Sequence, residues 1–91
     1  MRGKMIARKD LNLLIKNVTD IAVAKHSIEM DLNDKYDMKT KWEFKDKERT
    51  DDRETEIYTA TARKGDKRYQ LTKVEAYEGM NFFVEIYEKE I

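Results

Sequence analysis

The chain has no cysteine, no proline and only three glycines among its 91 residues. Without cysteine there is no disulfide, no thiolate metal site and no thiol nucleophile. That fits a reducing compartment, and the expected location is the cytoplasm. No unbroken apolar run marks a signal peptide near residues 1–15, and no stretch is long enough to span a membrane. Asn17-Val18-Thr19 matches a glycosylation pattern, read as chance without a secretion signal. There is no glycine-rich phosphate loop. The single histidine, His26, and the single serine, Ser27, are neighbours. On a helix or a strand adjacent side chains diverge, so they cannot make a nucleophile–base pair. No enzyme, cofactor or metal site is expected from this inventory.

An excess of one charge is also missing. Nineteen basic residues meet nineteen acidic ones, which argues against a generic polyanion binder. What is abundant is charge itself, at 42% of the chain against 40% hydrophobic residues. One small domain spanning residues 1–91 is expected, with nearly every exposed position charged. Residues 1–9 carry Arg2, Lys4, Arg8 and Lys9 without an acid and read as a basic, loosely held terminus.

Apolar residues at 11, 14, 15, 18, 21, 22, 28 and 32 have helical spacing. They predict a long N-terminal helix starting after Asp10 as N-cap. A shorter helix followed by a strand at 26–32 is the alternative, because Ile28, Met30 and Leu32 alternate with polar residues. Residues 36–47 alternate cleanly and predict a strand, followed by a charged loop at 46–54. Residues 54–89 then predict a three-stranded meander around Gly65 and Gly79. A two-residue turn at Gly65-Asp66 pairs Ala62 with Tyr69, Ala60 with Leu71 and Tyr58 with Lys73. It also pairs Thr59 with Thr72 and Ile57 with Val74, and it sets Arg63 against Arg68. The expected fold is therefore α+β, a long N-terminal helix packed on a four-stranded antiparallel meander sheet.

Motifs carrying chemistry are weak. Asp31, Asn33, Asp34 and Asp37 have the acid density of a calcium loop, but the central glycine is missing and Lys35 holds a ligand position. Asp37, Glu43 and Lys45 have the residue types of a metal-dependent nuclease, the remote alternative. The leading expectation is a non-enzymatic protein that binds another protein through a sheet face or edge strand. Its composition is typical of small proteins of AT-rich bacteria and their phages, and such proteins often inhibit a host enzyme by occluding it. Tyr58, Tyr69, Phe83, Tyr87, Glu85 and Glu88 are the candidate contacts, as aromatic anchors on the outer sheet face and acids of the last strand. A homodimer through exposed edges is a further expectation. The alternative is a small nucleic-acid-binding module using Arg63, Lys64, Lys67, Arg68 and Lys73.

Overall fold

A computed structural model describes residues 3–12 and 18–91. The elements are β1 (Lys4–Asn12), α1 (Val18–Lys35), β2 (Asp37–Met38), β3 (Glu43–Arg49), β4 (Arg53–Lys64), β5 (Lys67–Glu78) and β6 (Asn81–Glu90). The six strands form one sheet in the order β1-β6-β5-β4-β2, with β3 pairing a different part of β4. Every pairing is antiparallel. The sheet curls into a half-barrel accompanied by the one helix.

The meander forms as its sequence dictates. Gly65 and Gly79 take φ of +60° and +58°, the left-handed backbone that tight hairpins need. The β4–β5 register sets Ala62 on Tyr69, Ala60 on Leu71 and Tyr58 on Lys73, and Arg63 does face Arg68. In β6, Phe82, Val84 and Ile86 point toward α1 and pack with Ile28, Leu32 and Tyr36. Ala24, Ile28 and Leu32, spaced four apart, form the helix's buried stripe, and Tyr36 continues it just past the helix end. Phe82, Leu71, Ile86, Val74 and Val84 are the largest fully enclosed side chains, each contributing roughly 1.5–3 kcal/mol through burial.

Three expectations fail. The helix is not a long N-terminal one, and the sheet does not have four strands. Residues 4–12 pair with β6 as an additional strand, so neither the loose basic terminus nor the N-cap at Asp10 holds for them. Asp10 lies opposite Phe83 within that strand. Backbone pairing along the free edge of β6 prevails over a helical spacing that in this segment rests on Leu11 alone; Leu14 and Ile15 lie outside the described residues. Residues 26–32 are helical. Second, the strand expected over 36–47 is divided into β2 and β3 around residues 39–42. Third, most of the charged loop is sheet. Lys47 reaches Glu54 at 2.8 Å and Arg49 reaches Glu54 at 3.2 Å. Opposite charges across the ladder take the place of apolar cross-strand pairs there, and only 50–52 remain as a turn.

The topology gives α1 its position. β1 and β2 lie on opposite sides of the β6-β5-β4 core, so the connection between them must cross a sheet face. Eighteen helical residues span about 27 Å, enough for the roughly 19 Å across four strand spacings. Among the described residues no helix is long and apolar enough to cross a membrane.

At the entry to β1, Gly3 has φ +91°, and a Cβ there would overlap the carbonyl oxygen of Glu88. Gly3→Ala is therefore expected to cost about 3 kcal/mol or more in denaturant unfolding, the steric overlap adding to the backbone strain. Gly79→Ala, whose added carbon meets nothing, should cost only about 1–2 kcal/mol from its backbone conformation. Equal losses would show that the start of β1 is not held tightly against β6.

Candidate functional site

The central strand is closed on both faces, since Leu71 to Ala76 are all buried. Leu71, Lys73 and Glu75 share the face toward α1, while Thr72, Val74 and Ala76 take the other. Two charges thus lie under the helix. Lys73 and Glu75, at 7% and 5% exposure, are 3.1 Å apart. The helix answers with opposite charges one turn apart. Lys25 reaches Glu75 at 2.7 Å, and Glu29 lies 3.7 Å from Lys73. The Lys73 ammonium also sits 4.9 Å from the ring centres of both Trp42 and Tyr58, within range of cation–π attraction. Burial pulls the Lys25 ammonium down, but its bond to Glu75 outweighs this and holds its pKa above the ordinary lysine value. The Tyr58 hydroxyl donates to Glu56 at 2.7 Å. That bond, with burial, pushes its pKa up to about 12.

The expected contact residues do not assemble. Tyr58, Tyr69 and Glu88 face the helix side, whereas Phe83, Glu85 and Tyr87 face the other. Tyr69 meets Tyr36 edge-on at 5.7 Å, and Glu88 accepts the Tyr36 hydroxyl. Phe83 is 6% exposed. The guanidinium groups of Arg8 and Arg53 lie 4.5 Å and 5.0 Å from its ring centre. Glu85 is buried and paired with Arg8 at 2.6 Å. Tyr87 is half-buried. Of the basic set, Arg63, Lys64, Lys67 and Arg68 are exposed at the β4–β5 tip, but Lys73 is buried far from them in the ion network.

The nuclease triad separates as well. Asp37 sits opposite Arg63 and Glu43 opposite Thr59. Four positions on β4 put them roughly 13 Å apart along the strand. Asp37 pairs with Lys39 at 2.6 Å and Glu43 with Lys45 at 3.5 Å. Asp31, Asn33 and Asp34 lie near the exposed end of α1. Among the described residues no cluster of acids or histidine is arranged to hold a metal ion.

Two features emerge that residue patterns did not single out. With Lys25 and Glu29 turned inward, α1 exposes apolar side chains: Val23 is 61% and Met30 51% exposed. Next to it, a cavity of about 220 Å³ opens between the second half of α1 and residues 38–42, lined by Glu29, Leu32, Asn33, Met38 and Trp42 among others. Met30 is three residues from Asn33, one of the lining residues, on the same helix. No family model, curated protein or solved structure matches this chain.

Removing Glu75 takes away the carboxylate shared by Lys25 and Lys73 and leaves buried Lys73 with only the longer contact to Glu29 at 3.7 Å. Glu75→Ala is expected to lower stability by about 3–5 kcal/mol, whereas Lys73→Met with Glu75→Leu in one chain should recover most of that. A mild effect of Glu75→Ala in urea unfolding would refute the clamp. The raised Tyr58 pKa has a defined consequence for alkaline stability. Its folded value lies above the ordinary value of 10, so the folded state holds the proton more tightly. This contribution is intact below pH 10 and is lost as pH rises through about 12. Absorbance titration of the phenolates should show a late-ionising component from Tyr58 and Tyr36, whose pKa is raised by burial and its bond to Glu88, and Tyr58→Phe should reduce that component without abolishing it.

Proposed function

We propose that this chain is a non-enzymatic protein-binding module that docks through the outward side of α1 and the adjoining cleft beside Trp42. The observation that carries the reading is the outward side of α1. Half-buried Lys25 and Glu29 lean from the helix flank onto Glu75 and Lys73, while Val23 and Met30 face outward. In a chain with 42% charged residues, two large apolar side chains on one helix surface mark a place kept for contact. The cleft supports it. About 220 Å³ accepts one large apolar side chain, the kind of anchor that dominates interface energies. Asp31 and Asp34 are exposed nearby on α1, so the fitting partner presents an apolar anchor flanked by basic residues.

The sheet edges support this site over edge pairing. β1 carries a bulge between Met5 and Ala7, and β3 one between Phe44 and Asp46. Both edges are rich in exposed charge. Bulges and charges are what blunt an edge against a further strand. Such a module acts by covering its partner's surface, which is the mode of an inhibitor.

The reading is tested by comparative capture. Val23→Asp with Met30→Asp should leave stability within about 0.5 kcal/mol, as expected for exposed positions, and should abolish recovery of a stoichiometric partner held by the unaltered protein. Trp42, the single tryptophan, should change its fluorescence when the purified partner is added. A partner retained by the doubly substituted protein, or silent toward Trp42, would place the interface elsewhere.

A further inference from the structure

Both cross-strand pairs beside the Gly65 turn set cation against cation. Arg63 faces Arg68, and Lys64 faces Lys67. Directly opposed like charges destabilise a hairpin. Several other cations of the sheet are paired: Arg8 with Glu85, Lys47 with Glu54, Arg53 with Glu78 and Lys73 with Glu75. At the hairpin, among the described residues, no carboxylate closes on any of the four. Arg63 donates from Nε to the Gly65 carbonyl at 3.3 Å, which turns its guanidinium but leaves its charge unmatched. Lys64 lies 5.8 Å from the Tyr36 ring. Asp66 is in the turn and forms no ion pair with them. Asp37, across from Arg63, is engaged by Lys39 at 2.6 Å.

The two arginines share a face, and that face is hollow. Arg63, Arg68, Lys39, Thr61, Ala62 and Ile91 line a cavity of about 380 Å³. Its walls are fixed by the backbone. Lys39 donates its amide to the Thr61 carbonyl at 2.9 Å, and Ile91 donates to the Arg68 carbonyl at 2.9 Å. The cavity thus combines two guanidinium groups and the Lys39 ammonium, itself engaged by Asp37, with apolar surface from Ile91. Guanidinium groups bind phosphate oxygens in a planar, two-pronged way, and their positive charge makes those bonds strong.

We infer that this cavity binds a phosphate group, with Arg63 and Arg68 as its principal ligands and the apolar surface taking the organic part to which the phosphate is attached. The phosphate relieves the Arg63–Arg68 repulsion. Lys64 and Lys67, on the opposite face of the ribbon, raise the local potential without contacting it. A free nucleotide and a nucleic-acid strand both supply the group. The site is separate from the α1 surface and does not depend on it.

The test is calorimetric titration of the full chain at low salt with inorganic phosphate, adenosine monophosphate and a short single-stranded DNA. Binding of at least one probe is expected, and Arg68→Gln should weaken it about tenfold or more. Lys67→Gln, across the ribbon, should weaken it less than about threefold, since it alters only the surrounding potential. Without ligand, Arg68→Gln should unfold at the same temperature or higher, because a like-charge contact is removed. DNA binding more than tenfold tighter than the mononucleotide identifies a nucleic-acid source; comparable affinities identify a free nucleotide. Failure of all three probes to bind, or equal weakening by Arg68→Gln and Lys67→Gln, overturns the site.

Discussion

Two lysines and two glutamates between α1 and β5 set the terms for the rest of the molecule. Taking Lys73 and Glu75 out of water is expensive, and their mutual attraction offsets that only when further partners complete them. Lys25 and Glu29 are those partners, and they must come from one helix at one rotation. An apolar interface would tolerate α1 at several angles about its axis. This one does not, because a rotation that withdraws Lys25 or Glu29 leaves a buried charge incomplete. The aliphatic contacts of Ile28 and Leu32 with Phe82, Val84 and Ile86 supply attraction, and the ion network supplies register.

That choice redistributes chemistry over the whole surface. Charges drawn inward leave an apolar outward strip on α1. On the sheet's other face the same exchange runs in reverse, with Val74 and Ala76 enclosed and arginines lying over Phe83. Aromatics that would serve as anchors on a flat, open sheet are already occupied by the protein's own cations. The proposed partner surfaces lie instead on the helix with its cleft at Trp42 and at the positively charged end of the β4–β5 ribbon.

The meander was legible, and its β4–β5 hairpin down to the register, because glycine turns and β-branched runs are local signals and the Tyr58–Lys73 and Thr59–Thr72 pairs follow from turn length alone. The two ends of the sheet were not. β1 is a strand only because β6 offers it an edge 70 or so residues later, and β3 is a strand because Lys47 and Arg49 find Glu54 across the ladder. Nothing inside KMIARKDLN reports its partner; alternation did mark residues 43–47 of EFKDKER as strand, but neither its extension to Arg49 nor its pairing across the charged 46–54 segment. The candidate contacts were misjudged for a related reason. Phe83 and Tyr87 share one face, Tyr58 and Tyr69 belong to the opposite one, and the arginines over Phe83 come from distant strands. A signal for the ion network did exist: Lys73 and Glu75 alternate on the face that carries Leu71, and Lys25 and Glu29 stand one helical turn apart. Matching the two needs the helix to be placed on β5 first.

The pairing of β1 with β6 also separates the order of synthesis from the order of assembly. β1 precedes every other element in the chain, yet the strand it docks on is the last one made. The hairpins β4–β5 and β5–β6 close short loops and can form as they emerge, whereas joining β1 to β6 closes a loop across almost the entire domain and bears the largest entropic cost of any pairing in the sheet. Until that closure, one side of β6 is an open edge, and the first strand of a neighbouring nascent chain carries the same complementary backbone and the same glycine beside Glu88.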